Sequence, residues 1–110
     1  MSPADAIVVL VTAGSDDEAG RIGRALVEER LAACVNVVGP IRSIYRWRDA
    51  VEDAQEWLLV VKGRAGDLPV LETRVRALHS YEVPEVLALP VYGGGAAYLA
   101  WLDEATRRDG

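Results

Sequence analysis

The chain has 110 residues, 51% apolar and 26% charged, a balance that fits one globular domain, residues 1–110, and leaves no room for a second. Its net charge is −5 and no Lys- or Arg-rich run makes a local exception, so nucleic acid is excluded as an expected partner. One cysteine cannot close an intrachain disulfide, the N-terminus Met1–Asp5 lacks a basic segment before a long apolar one, and the longest apolar run, Ala6–Val11, is far too short to span a bilayer; a cytoplasmic protein with no membrane role is expected.

Ala6–Val11 is continuous and rich in β-branched residues, which predicts a strand at the centre of a sheet. Ser15 and Glu18 form an S-x-x-E capping box, so a helix should start at Asp16. That helix carries Ala19, Ile22 and Leu26 on one face, with Ala25 and Leu31 beside them, and fades in Ala32-Ala33. Cys34–Val38 reads as strand, Gly39-Pro40 as a bend or bulge, and Ile41–Arg48 as strand again, with Ile41, Ser43, Tyr45 and Trp47 on one side.

Asp49-Ala50 is the expected tight turn, after which Val51–Lys62 returns to complete a long hairpin. A two-residue turn there sets Arg46 opposite Asp53 and Tyr45 opposite Ala54. Arg42, Arg46 and Arg48 alternate along the outgoing strand and Glu52, Asp53 and Glu56 follow at once, a pattern of mutual compensation.

Asp67 is the expected N-cap of a second helix, with Pro69 in its first turn and Leu68, Leu71, Val75 and Leu78 at helical spacing. His79 falls at its C-terminal end and Pro84 stops any continuation. Val86–Tyr92 supplies a fourth strand, whose Pro90 fits an edge, an end or a bulge. Gly93-Gly94-Gly95 permits a sharp turn. A last helix from about Ala96 places Tyr98, Trp101, Leu102 and Ala105 on one face before a charged, frayed tail, Arg107–Gly110. The order βαββαβ with an added helix predicts an α+β, ferredoxin-like sandwich: two helices on one face of a four-stranded antiparallel sheet.

The only histidine heads the run His79-Ser80-Tyr81-Glu82-Val83-Pro84-Glu85, which brings an imidazole, a phenol and two carboxylates into one turn. A soft thiolate with an imidazole is a pair that holds copper or zinc, so Cys34 and His79, supported by Glu82 or Glu85, are the candidate metal ligands. Cys34 in Leu31–Val35 also reads as a small buried hydrophobe, and His79 as a helix C-terminal cation favoured by the dipole. Tyr45 and Trp47 suit an interface between subunits. Lys62 and Glu56 read as an interfacial or cross-strand ion pair, or as anchors for an anionic ligand. Catalysis is not expected: there is one Cys and one His, no G-x-S-x-G, and no His-Glu metalloprotease spacing.

Ala33-Cys34-Val35-Asn36, Ser43-Ile44-Tyr45-Arg46-Trp47, Glu56–Lys62, His79–Glu85 and Tyr98-Leu99-Ala100-Trp101-Leu102, in this order and spacing, resemble the CutA family of divalent-cation tolerance proteins over nearly the whole chain. The resemblance implies a tightly packed homotrimer, with the long hairpins crossing subunit boundaries as in PII signalling proteins. It also implies binding of divalent metal, copper above all, through Cys and His positions similar to Cys34 and His79, with no obligatory cofactor. The alternative it leaves is a PII-like trimeric module, or a scaffold, that takes a small ligand near Tyr45, Lys62, Tyr81 and Glu85 without a physiological metal. The chain departs from the family's usual pattern at Asp49, where Gly is usual, at Gly63, where Thr is usual, and at Ser80, where Pro is usual.

Overall fold

The apolar run at the N-terminus forms strand β1, Ala6–Ala13, in the interior of the sheet between β3 (Ala50–Arg64) and β4 (Leu87–Pro90). With β2 (Cys34–Trp47) outside β3 the order is β2-β3-β1-β4, antiparallel throughout. The structure, a computed structural model, describes residues 1–108. Helices α1 (Asp16–Glu28), α2 (Leu68–Leu78) and α3 (Ala96–Ala105) complete the expected ferredoxin-like sandwich with its added C-terminal helix.

Because side chains alternate along a strand, Ile7, Val9, Val11 and Ala13 all face the same way, with Leu59 and Val61 of β3. Against them pack Ala19, Ile22 and Leu26 of α1 and Leu71 and Val75 of α2. Each large side chain fully buried here contributes roughly 1.5–3 kcal/mol. The opposite sheet face is covered at one end only, where Leu99 and Leu102 of α3 meet Ala6 and Ala33. The remainder of that face carries Val8, Leu10, Leu58 and Val60 half-buried, and Val38, Leu87 and Leu89 exposed.

α1 stops three residues before Leu31 because Arg30 turns to a φ of 59°. The Arg30 amide then donates to Val27 O (3.1 Å) and that of Leu31 to Leu26 O (2.9 Å), a Schellman closure with Leu31 and Leu26 both in the core.

The expected irregularity at Gly39-Pro40 is present as a register shift between Val38 and Ile41, within one continuous strand. A Cβ at Gly39 would meet Cδ1 of the Trp57 ring at 2.3 Å and Cγ at 2.7 Å. These atoms lie near the root of a half-buried side chain and cannot swing clear. Gly39→Ala should therefore cost on the order of 1–3 kcal/mol in chemical denaturation, the usual penalty of overpacking, and a neutral result would mean that Trp57 repacks freely.

The hairpin turns one residue earlier than the sequence suggests. Arg48 and Asp49 adopt φ of 49° and 67°, the two left-handed residues of a type I′ turn, and Trp47 pairs with Ala50. Tyr45 thus lies opposite Glu52 and Arg46 opposite Val51, not Ala54 and Asp53. Asp53 is held instead by Arg42, whose Nε donates to it at 2.9 Å. The hairpin projects as an arm: the radius of gyration is 14.5 Å, against about 13 Å for a compact chain of this length.

The C-terminal helix also differs from expectation. Leu99 and Leu102 are its core residues, while Tyr98 and Trp101 are about half exposed and lean on each other, ring centroids 5.4 Å apart. One residue of phase, about 100° around the helix, separates the two readings, because aromatic content outweighed Leu99 in the sequence pattern. The tail is anchored, not frayed, through Arg108, which donates to both Asp67 oxygens at 2.8 Å and to Arg30 O at 3.1 Å. Arg107 reaches Asp103 at 2.9 Å; Asp109 and Gly110 lie outside the described residues.

Hydrogen bonds from Arg108 hold the Asp67 carboxyl below its ordinary value, and those from Arg64 do the same for Asp103. A carboxyl depressed in the folded state adds stability at neutral pH that is lost as pH falls through its folded value. Amides of α3 should therefore lose hydrogen-exchange protection between about pH 4 and pH 2, below the ordinary Asp range; protection unchanged over that interval would show that these pairs do not anchor the helix.

Candidate functional site

α2 ends at His79, whose backbone is extended (φ −88°, ψ 142°), and the chain then crosses the end of the sheet to reach β4. Four hydrogen bonds pin this crossing. The His79 ring sits with Nε2 2.7 Å from Thr12 O, and its Nδ1 accepts the Tyr81 amide at 3.0 Å. This fixes the tautomer, with Nε2–H donating and Nδ1 accepting. The Ser80 amide donates to Glu18 Oε2 at 2.8 Å, and the Tyr81 hydroxyl donates to Glu56 Oε2 at 2.8 Å.

Glu18 was expected to close a capping box. Ser15 Oγ does accept the Glu18 amide at 3.1 Å, but the Glu18 carboxylate turns to Ser80 and, at 3.4 Å, to the Gly14 amide. Burial pushes the Glu18 carboxyl up, and the hydrogen bonds from Ser80 and the Gly14 amide outweigh it, leaving the group below its ordinary value.

Between this crossing and the hairpin lies a cleft of about 790 Å³. From β2 it receives Ser43, Tyr45 and Trp47, which alternate along one strand face, together with Ile44. From β3 it receives Glu56, and from the crossing Tyr81, Glu82, Val83 and Glu85; Thr12 and Arg48 complete the wall. Glu56 is only 6% exposed. Burial raises the Tyr81 phenol, helped by the hydrogen bond to Glu56 and its charge. Glu85 is exposed as a residue, yet partial burial of its carboxyl and the Glu56 charge beside it raise it above the ordinary range. At the mouth, Arg48 donates to Glu82 at 3.0 Å and lies 5.4 Å from the Trp47 ring centroid.

The cleft thus gathers Tyr45, Trp47, Glu56, Tyr81, Glu82 and Glu85, and leaves Cys34, His79 and Lys62 outside its lining. Cys34 pairs with Lys62, and Lys62 with Val8, whereas His79 is bound to Thr12, four residues further along β1. That is about 13 Å along the strand, so one chain does not bring the thiol and the imidazole to a common ion. Both imidazole nitrogens are engaged besides, Glu82 is spent on Arg48, and among the described residues no three His, Cys, Asp or Glu side chains converge as a metal requires. The four-residue set Cys34, His79, Glu82 and Glu85 is therefore not a metal site within one chain.

Within one chain Lys62 and Glu56 do not pair: they lie six residues apart on one strand, and Lys62 Nζ approaches Cys34 Sγ at 3.9 Å. Thr12, Ser43 and Arg48 were not singled out. Ser43 belongs to the Ser-x-Tyr-x-Trp motif, so alternation along the hairpin offered a signal for it, while Arg48 enters through the turn that follows and Thr12 through a fold contact that no local pattern announces.

Residues 7–105 match the family model described as CutA1 divalent ion tolerance protein. The divalent-cation tolerance protein CutA of Thermus thermophilus is 54% identical over 99 residues, 90% of this chain and 96% of that protein. The chloroplastic protein CutA of Arabidopsis thaliana is 45% identical over 92% of this chain, which spans only 56% of that longer protein. Among solved structures, CutA1 from Oryza sativa superposes with a TM-score of 0.92 at 42% identity, covering 96% of this chain and 97% of that one.

Proposed function

The chain belongs to the CutA1 divalent ion tolerance family, and from that premise we propose that it acts in the response to divalent cations by binding a metal ion, copper being the expected one, as a cytoplasmic homotrimer. The observation that supports this best is the approach of Glu56 and Glu85 in the cleft, two carboxylates with no Lys or Arg paired to either among the described residues. Carboxylate oxygens are ligands for divalent ions. Two do not complete a coordination shell, and the remaining donors come from water or from a second copy. Binding, not catalysis, is the activity, and His79 serves as a positioning residue that holds Tyr81 and the crossing in place.

Assembly is supported by the half-covered sheet face. Val8, Leu10, Leu58, Val60, Leu87 and Leu89 present a contiguous apolar surface of the kind that marks a protein–protein contact. Copper titration of the wild-type chain and of Glu56→Gln should show binding weakened at least ~10-fold in the variant, the equivalent of one lost charged ligand; equal affinities would remove the cleft from the reading.

The size and lining of the cleft favour a second reading, a PII-like module for a small ligand. About 790 Å³ walled by Tyr45, Trp47 and Tyr81 falls within the range of small-molecule sites.

A further inference from the structure

At the mouth of the cleft, an organic cation already sits between an aromatic face and a carboxylate. The Arg48 guanidinium lies 5.4 Å from the Trp47 ring centroid and 3.0 Å from Glu82, a cation–π contact closed by an ion pair. Further in, the same two elements recur without a cation: Tyr45 and Tyr81 are the aromatic walls, Glu56 and Glu85 the carboxylates, and Arg48 is the only basic residue of the lining. Glu56 uses Oε2 for the Tyr81 hydroxyl, and its second oxygen is not left buried without a partner, so that oxygen opens on the cleft.

We infer that the inner half of the cleft binds the ammonium end of a small organic amine, an alkyl diamine or a monoamine of similar size, between Tyr45 and Tyr81 with Glu56 and Glu85 as counter-ions. This rests on the reading of the cleft as a cation site and names the class of cation. An ammonium group suits the lining for reasons that a metal ion does not share. It draws on aromatic faces as well as carboxylates, it needs no convergence of three metal ligands, which the described residues do not offer, and its alkyl stem occupies volume that a single ion leaves empty.

Isothermal titration of the full chain with 1,4-diaminobutane, with uncharged 1,4-butanediol and with copper(II) tests the assignment. Saturable diamine binding is expected, with none of the diol. It should weaken at least ~10-fold in Glu85→Gln, which removes one counter-ion, and also in Tyr45→Ala. Absence of saturable diamine binding at millimolar concentration overturns the inference, as does diamine binding that Glu85→Gln leaves unchanged; the first result covers the case in which a basic side chain of a second copy fills the inner half. Copper binding without diamine binding retains the metal reading alone. Diamine binding without copper binding removes the metal reading and leaves the inference standing.

Discussion

Glu18→Ala should lower the unfolding free energy by about 2–4 kcal/mol, the range for removing a buried acceptor and leaving its donors unsatisfied. Glu18 is 5% exposed and its carboxylate serves the Ser80 and Gly14 amides at once. The loss should reach the cleft as well. Ser80 lies between His79, fixed to Thr12 O, and Tyr81, fixed to Glu56, so freeing its amide loosens the segment that carries Tyr81 and Glu85. Glu18→Gln retains one acceptor oxygen but turns an amide N–H toward a backbone donor, and should fall between the two. Denaturant titration with an unchanged m-value measures both variants. A loss below half a kcal/mol in Glu18→Ala would show that water replaces the carboxylate and that the crossing stands without it.

Val60→Asp should abolish self-association. Val60 sits in the middle of β3 on the half-covered face, opposite Leu10 on one side and Asn36 on the other, and is already half-buried within a single chain. Symmetry repeats every interface substitution in each subunit, so the carboxylates would be desolvated together, at several kcal/mol each if unpaired. The wild type should run at three times the 11.9 kDa chain mass in light scattering, the variant at one, and Val60→Thr, close in shape, as the wild type. A Val60→Asp protein that still assembles would place the interface elsewhere.

The framework of the fold was legible because it follows from local chemistry. The β-branched run of β1 and the start of α1 at Asp16 are signals carried by neighbouring residues, and the structure has both; Asp67 stands at the N-cap position of α2, but its carboxylate makes no capping bond and binds Arg108 instead. What was not legible depended on partners distant in sequence. Glu18 has the spacing of a capping box, yet its carboxylate answers to Ser80, 62 residues away. The hairpin turn fell on Arg48-Asp49 because Asp49 accepts the left-handed conformation that glycine usually supplies, and no Gly or Asn was present to mark it.

The candidate site was legible as a list and not as a map. The motif around His79 contributes Tyr81, Glu82 and Glu85 to the cleft, but His79 itself faces the Thr12 carbonyl as a structural clamp. Cys34 was paired with it by chemistry alone. The strand register separates the two, and register is set by cross-strand partners that single residues do not reveal.

The central claim is that a cation binds at the carboxylates of the cleft and not at the thiol and imidazole. The most direct test is copper affinity measured side by side on two double variants, Cys34→Ser with His79→Gln and Glu56→Gln with Glu85→Gln, each verified as folded and assembled. The account predicts near wild-type affinity for the first pair and a loss of at least ~100-fold for the second, about 2.7 kcal/mol. Affinity lost in the first pair and retained in the second would contradict it.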